Sequence, residues 1–225
     1  MSIHVSQAPT TPGTPTSSAP RAVAAVAAVL FAITLFLTVA SVNVPHDASD
    51  GELLTWWRDG GHLSSTIASE LFSISSAVSF AVVLNHLGTL FATTAMTQWT
   101  AFARSMAAAF TALLLVTSAL RAVIGHMVQV YDDPTPGIDV LRYSTALDYT
   151  LLGTATMTTL ALTMVAASVV VMRTGVLGTW VGYVGVGCAA IILAAVAVMM
   201  GAFAIPAALL WAICLAVAIW RQPAA

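Results

Sequence analysis

The chain contains no lysine, and only 7% of its 225 residues are charged. A water-soluble domain carries about 25% charged residues, so this scarcity excludes an ordinary soluble fold. Seven arginines stand against nine acids, for a net charge of −2. No basic stripe interrupts the sequence, which excludes a nucleic-acid partner. Cysteine is nearly absent as well. Cys188 and Cys214 sit in apolar runs without CxxC or metal-type spacing, and they read as small buried hydrophobes. The chain also lacks GxSxG, Walker A, GxGxxG and HExxH patterns, so no hydrolase, nucleotide, dinucleotide or zinc-protease chemistry is signalled and no cofactor is expected.

What is present is hydrophobic length. Hydrophobic residues make up 59% of the chain, with a mean hydropathy of +0.94. Residues 1–20, rich in Pro, Ser and Thr, read as a disordered tail. A membrane domain follows over 21–221, with a short tail at 222–225. A span of about 20 residues crosses the roughly 30 Å hydrocarbon layer. Candidate spans fall at 22–42, 63–84, 102–130, 141–172, 176–199 and 203–220. The run 176–220 holds no charge and would be about 67 Å long as one helix, so it must fold back, with Gly201 and Pro206 as the turn. The first span competes with a signal peptide reading, through Thr38-Val39-Ala40, but the run exceeds a normal leader core. Between the first two spans, Gly51 to Trp57 forms one or two helical turns on the interface, with Trp56 and Trp57 at headgroup level. The expected fold is all-α: a polytopic integral membrane protein of six transmembrane helices.

Arginine placement orients it. With both termini inside, Arg21, Arg104, Arg173 and Arg221 lie at cytoplasmic span ends, as the positive-inside rule requires. Cys188 and Cys214 then lie about 18 Å and 9 Å from the inner ends of antiparallel spans. That offset exceeds the roughly 7 Å Cα separation a disulfide tolerates.

Three charges interrupt the apolar runs: Glu70, Arg121 and Asp148. Counted from the predicted outer span ends, they lie about 12, 13 and 10 Å down, a shared depth on three helices. An isolated charge in lipid is costly, so the three are expected to satisfy one another, with His126 and Arg142 offsetting the surplus carboxylate. Either the layer is a ligand or proton site in a cavity opening outward, or it is ion-pair glue that sets helix register. His46, His62, His126, Asp132 and Asp133 gather near the same face without metal-ligand spacing, and a solvated acidic loop is the expectation. Ser65, Ser69, Ser73 and Ser76 recur at helical spacing in the second span, a surface that another backbone can approach closely.

The segment Arg173-Thr174-Gly175-Val176-Leu177-Gly178-Thr179-Trp180-Val181-Gly182 resembles the loop before the fifth span in an uncharacterised bacterial family of six-span proteins of unknown function. The resemblance implies a six-helix fold and no established activity, and it carries no site residues. Gly178 and Gly182 make a GxxxG step for close helix packing, which Gly185 continues less regularly. Three functional classes follow for a multi-pass protein of the bacterial inner membrane. The first is an accessory or interaction subunit that docks a partner membrane protein or a second copy. The second is a small transporter or sensor that binds a ligand or proton at Glu70, Arg121 and Asp148. The third is a membrane enzyme acting on a lipid or quinone.

Overall fold

The computed structural model describes residues 19–42, 44–45, 48–92 and 94–222. The tails expected at the two termini lie almost wholly outside the described residues, as do His46 and Asp47 of the proposed acidic loop. In chain order the helices are α1 (Ala19–Ala40), α2 (Asp50–Arg58), α3 (Gly60–Ala92), α4 (Thr97–Gln129) and α5 (Ile138–Thr150). A π-helical turn at Leu151–Thr156 joins α5 to α6 (Met157–Thr174), and α7 (Thr179–Ala197) follows. A 3₁₀ turn at Gly201–Ala204 then leads into α8 (Ile205–Trp220). No strand occurs among the described residues. Six stretches are long and apolar enough to cross a membrane, α5 through α6 forming one of them. The protein is an all-α, multi-pass membrane protein.

Several boundaries differ from the sequence reading, each for a local reason. The second span does not stop at Asn85-His86, because two polar residues without a breaker leave the helix hydrogen bonding intact, and α3 runs on to Ala92. Thus α4 starts at Thr97 rather than 102. Gly178 adopts φ 82 and Gly175 φ 70, so both belong to the turn between α6 and α7. Glycine takes such backbone angles without steric penalty. The close-packing face of α7 is therefore Gly182 with Gly185, not Gly178 with Gly182: a Cβ on Gly182 would strike Met172 and the Ser168 carbonyl. Pro206 is not the turn either. It sits in the first turn of α8, where its missing N–H costs nothing.

The lengths of the helices set the architecture. α1, α7 and α8 have 22, 19 and 16 residues, about 33, 28 and 24 Å. α3 and α4 have 33 residues each, about 50 Å. The short and long helices share one end, where Arg21 donates a hydrogen bond to the Gln222 carbonyl and Arg104 donates one to the Gly88 carbonyl at 3.1 Å. All the length difference therefore accumulates at the other end, which carries every described acid. There α3, α4 and α5 stand proud of α1, α7 and α8, and α2 packs among them. The α7–α8 turn stops against the π-helical turn: a Cβ on Gly201 would collide with the Gly153 carbonyl.

Two hydrophobic cores result. The larger runs through all six spans and centres on Phe31, which stacks on Phe80 with ring centres 4.7 Å apart and meets Phe110 edge-on. The smaller holds Val42, Val44, Leu53, Trp57, Leu63, Ile124 and Leu141 at the projecting end. Trp57 is thus a core residue at 2% exposure rather than a headgroup anchor. Its neighbour Trp56 stacks on His62 instead, 4.5 Å away. The capping box of Ser49 and Glu52 explains why nine residues with so few apolar side chains hold a helix at all.

Candidate functional site

A polar layer separates the two cores, and Arg121 is its centre. Its Nε donates to both oxygens of Asp148, each at 3.1 Å, and its Nη2 donates to Oδ2 at 2.8 Å. Nη1 donates to the Thr38 carbonyl at 2.8 Å and to Ser69 Oγ at 3.2 Å. Arg121 and Asp148 are 7% and 8% exposed. One guanidinium therefore joins α4 to α1, α3 and α5.

Each partner is positioned for a local reason. α1 ends at Ala40, so the Thr38 carbonyl is one of the last-turn acceptors that no helical N–H reaches. A cation at this negative end of the helix is favourable. Ser69 Oγ donates to the same carbonyl at 2.7 Å while accepting from Arg121. Below it, Ser73 Oγ donates to the Ser69 carbonyl at 2.9 Å and lies 3.3 Å from Thr38 Oγ1. Ser69, Ser73 and Ser76 are fully buried, as their spacing predicts, whereas Ser65 turns its hydroxyl back to the His62 carbonyl.

The expected triad is not formed. Glu70 lies next to Ser69 on a helix, so it points about 100° away from the Arg121 side. It is half-buried and meets His126, with 3.6 Å between Oε2 and Nε2. His126 Nδ1 also lies 3.1 Å from the Ala122 carbonyl. Arg142 is also elsewhere. Its Nε and Nη2 bond Asp50 Oδ1 at 3.0 and 2.5 Å, and Nη2 bonds the Ala48 carbonyl at 3.1 Å. It straps α5 to the start of α2 in the exposed region. Among the described residues, no three of His, Cys, Asp and Glu gather as metal ligands, and Cys188 and Cys214 are free.

Above the ion pair lies a cavity of about 270 Å³. Arg121, Asp148 and Tyr149 supply its polar wall. Val39, Val44, Leu152 and the turn residues Ala202 and Phe203 supply the apolar wall. The Tyr149 hydroxyl donates to the Val44 carbonyl at 3.1 Å, fixing the loop that follows α1. The sequence reading did not anticipate Thr38 or Tyr149, and although it placed a turn between Gly201 and Pro206, it did not anticipate that Ala202 and Phe203 of that turn line the pocket. The cavity sits beside the π-helical turn, and such irregularities concentrate at functional sites.

At one side of this region, outside the membrane-spanning segments, Glu52 has its carboxyl held below the usual carboxylate value. The Ser49 hydroxyl contributes most, the Ser49 backbone N–H adds to it, and slight desolvation opposes both.

No protein-family model, curated protein or solved structure matches the chain.

Proposed function

We propose that the protein is a bacterial inner-membrane protein, with both termini cytoplasmic, that binds a small ligand in an outward-facing pocket floored by Arg121 and Asp148, as a sensor or transporter does. The observation that carries this reading is the cavity reaching the ion pair. Buried charges that line a pocket are default candidates for a functional site. The inner-membrane placement is supported by its apolar helical spans, since outer-membrane spans are barrels. The orientation is supported by four arginines at one end.

A second reading, an accessory or interaction subunit, draws support from a different observation. Arg121 spends its donors on three other helices, as a structural clamp would. The two readings part on access to the pocket. Ala202→Cys, in a background with Cys188→Ala and Cys214→Ala, should be labelled by a membrane-impermeant thiol reagent from the outer side. Val44→Trp should slow that labelling. Asp50→Cys in the same background reports that the outer surface is reachable. Labelling at Asp50→Cys with none at Ala202→Cys would overturn the pocket reading and leave the clamp.

A further inference from the structure

We infer that the pocket takes the head of an uncharged, hydroxyl-bearing amphiphile that enters sideways from the outer leaflet; this deepens, and rests on, the pocket reading above.

The α7–α8 turn marks the height of the lipid and carries no polar side chain. It exposes Val198 at 66%, Met199 at 92%, Met200 at 56% and Phe203 at 75%. So much contiguous apolar surface at a helix turn is stable only when something apolar covers it. Ala202 and Phe203 of that turn line the cavity together with Asp148. The hydrocarbon edge and the ion pair are therefore level, and α3, α4 and α5 project beyond it as a polar rim. Tyr131 and Tyr143, each 70% exposed, sit on this projecting part. Ala40 and Phe203 both line the cavity and are exposed, which sets the cavity rim between them at the lipid boundary as well as toward bulk water.

The volume of the cavity limits what enters it. A pocket that encloses a whole small ligand spans about 300–1,000 Å³. At 270 Å³ this one holds one end of a molecule, with the remainder lying along the apolar wall and out between Ala40 and Phe203. Charge limits the occupant further. Arg121 and Asp148 neutralise each other, so a charged head would be left uncompensated beside this nearly buried pair. Hydrogen-bond capacity then selects the group. Asp148 accepts three bonds from Arg121, out of about four that a carboxylate offers. The guanidinium, with five N–H groups, has one left on Nη2 after the bonds to Asp148, Thr38 and Ser69. One acceptor and one donor side by side match a hydroxyl, which donates and accepts through a single oxygen.

The test uses the full chain in phosphatidylcholine nanodiscs with two photoactivatable long-chain probes of equal length, one a primary alcohol and one a quaternary ammonium. The alcohol should crosslink near Leu152 and the 202–203 turn. Ala202→Trp and, independently, Val44→Trp should each reduce this at least about tenfold. The ammonium probe should crosslink there at least about tenfold less, because its charge lacks a partner. Equal crosslinking by both probes would overturn the hydroxyl assignment. Alcohol crosslinks scattered over lipid-facing helices and insensitive to both tryptophans would overturn entry from the leaflet. Either of these crosslinking failures, found while Ala202→Cys is labelled from the outer side, sinks this inference alone and leaves the pocket reading standing.

Discussion

Arg121 and Arg142 offer the same guanidinium to an aspartate, and the two pairs are about as different as one protein allows. Arg121 and Asp148 are buried between two cores, and the arginine also satisfies a helix-end carbonyl and a serine. Arg142 and Asp50 lie in the exposed strap, with side chains 45% and 65% accessible. Geometry alone would favour the strap, whose closest contact is 2.5 Å against 2.8 Å for the knot. Solvent reverses that ranking. Water screens the strap and competes with it, whereas the Arg121–Asp148 pair, the knot, is largely withdrawn from water.

The largest expected effect is at the knot. Arg121→Ala leaves a carboxylate buried without its cation, and melting of the purified protein should report a loss of about 3–5 kcal/mol. Adding Asp148→Asn should cost less than the sum of the two single changes, because the residues share one interaction. Adding Glu70→Gln should instead be additive within about 0.3–0.5 kcal/mol, since Glu70 faces His126. If Arg121→Ala cost no more than Arg142→Ala, burial would not be what separates the two pairs.

A second substitution probes the floor next to the knot without touching a charge. Gly201→Ala places a Cβ against the Gly153 carbonyl, and overpacking of this kind costs about 1–3 kcal/mol. Melting measures the loss, and the labelling rate at Ala202→Cys should change with it. An unchanged melt would mean that the α7–α8 turn can lift freely off the π-helical turn.

Arg142→Ala should cost only about 0.2–1 kcal/mol, and less as salt is raised. A loss above that range, insensitive to salt, would show that the strap behaves as a buried pair and would erase the contrast. The smallest effect belongs to Glu52. Its folded carboxyl titrates below its ordinary value of 4.5, so the stabilisation of α2 is fully present above that value and fades as pH falls through the lower folded one. Protection of the α2 amides, corrected for the intrinsic exchange rate at each pH, should fall over that acidic window, and Glu52→Gln should flatten the response. An equal response in both forms would assign the acid sensitivity to another group.

The amount of this that the sequence discloses follows from how local each feature is. Span number and helical class depend on run length and apolarity, which are properties of contiguous residues. Arg121 and Asp148 were identifiable because each breaks such a run. Their partnership was only half visible, since equal depth says nothing about azimuth: Glu70 shares the layer but points elsewhere. Thr38 left no mark, and the α7–α8 turn, though expected after Gly201, gave no sign that it meets the charged layer. Thr38 acts through its carbonyl, which every residue possesses, and the turn matters through where it stops relative to helices distant in sequence. Helix ends misread by several residues hid the fact that three spans are much shorter than the others. The charged layer therefore looked deeper in the membrane than the lengths of α1, α7 and α8 place it.

The π-helical turn at Leu151–Thr156 carries one more consequence, which is angular. An α-helix advances about 100° per residue, and a π turn absorbs one additional residue. The two halves of the fourth span are thereby held about 100° out of the phase that an unbroken helix would give them. The buried set of α6, from Met157 through Leu160, Ala161 and Met164, can face the large core while Asp148 still faces Arg121. Remove one residue between 151 and 156, and the helix closes into regular α geometry. Either the apolar stripe of α6 or the carboxylate of α5 must then turn outward. The six-residue irregularity acts as the splice that lets one span serve two differently oriented environments.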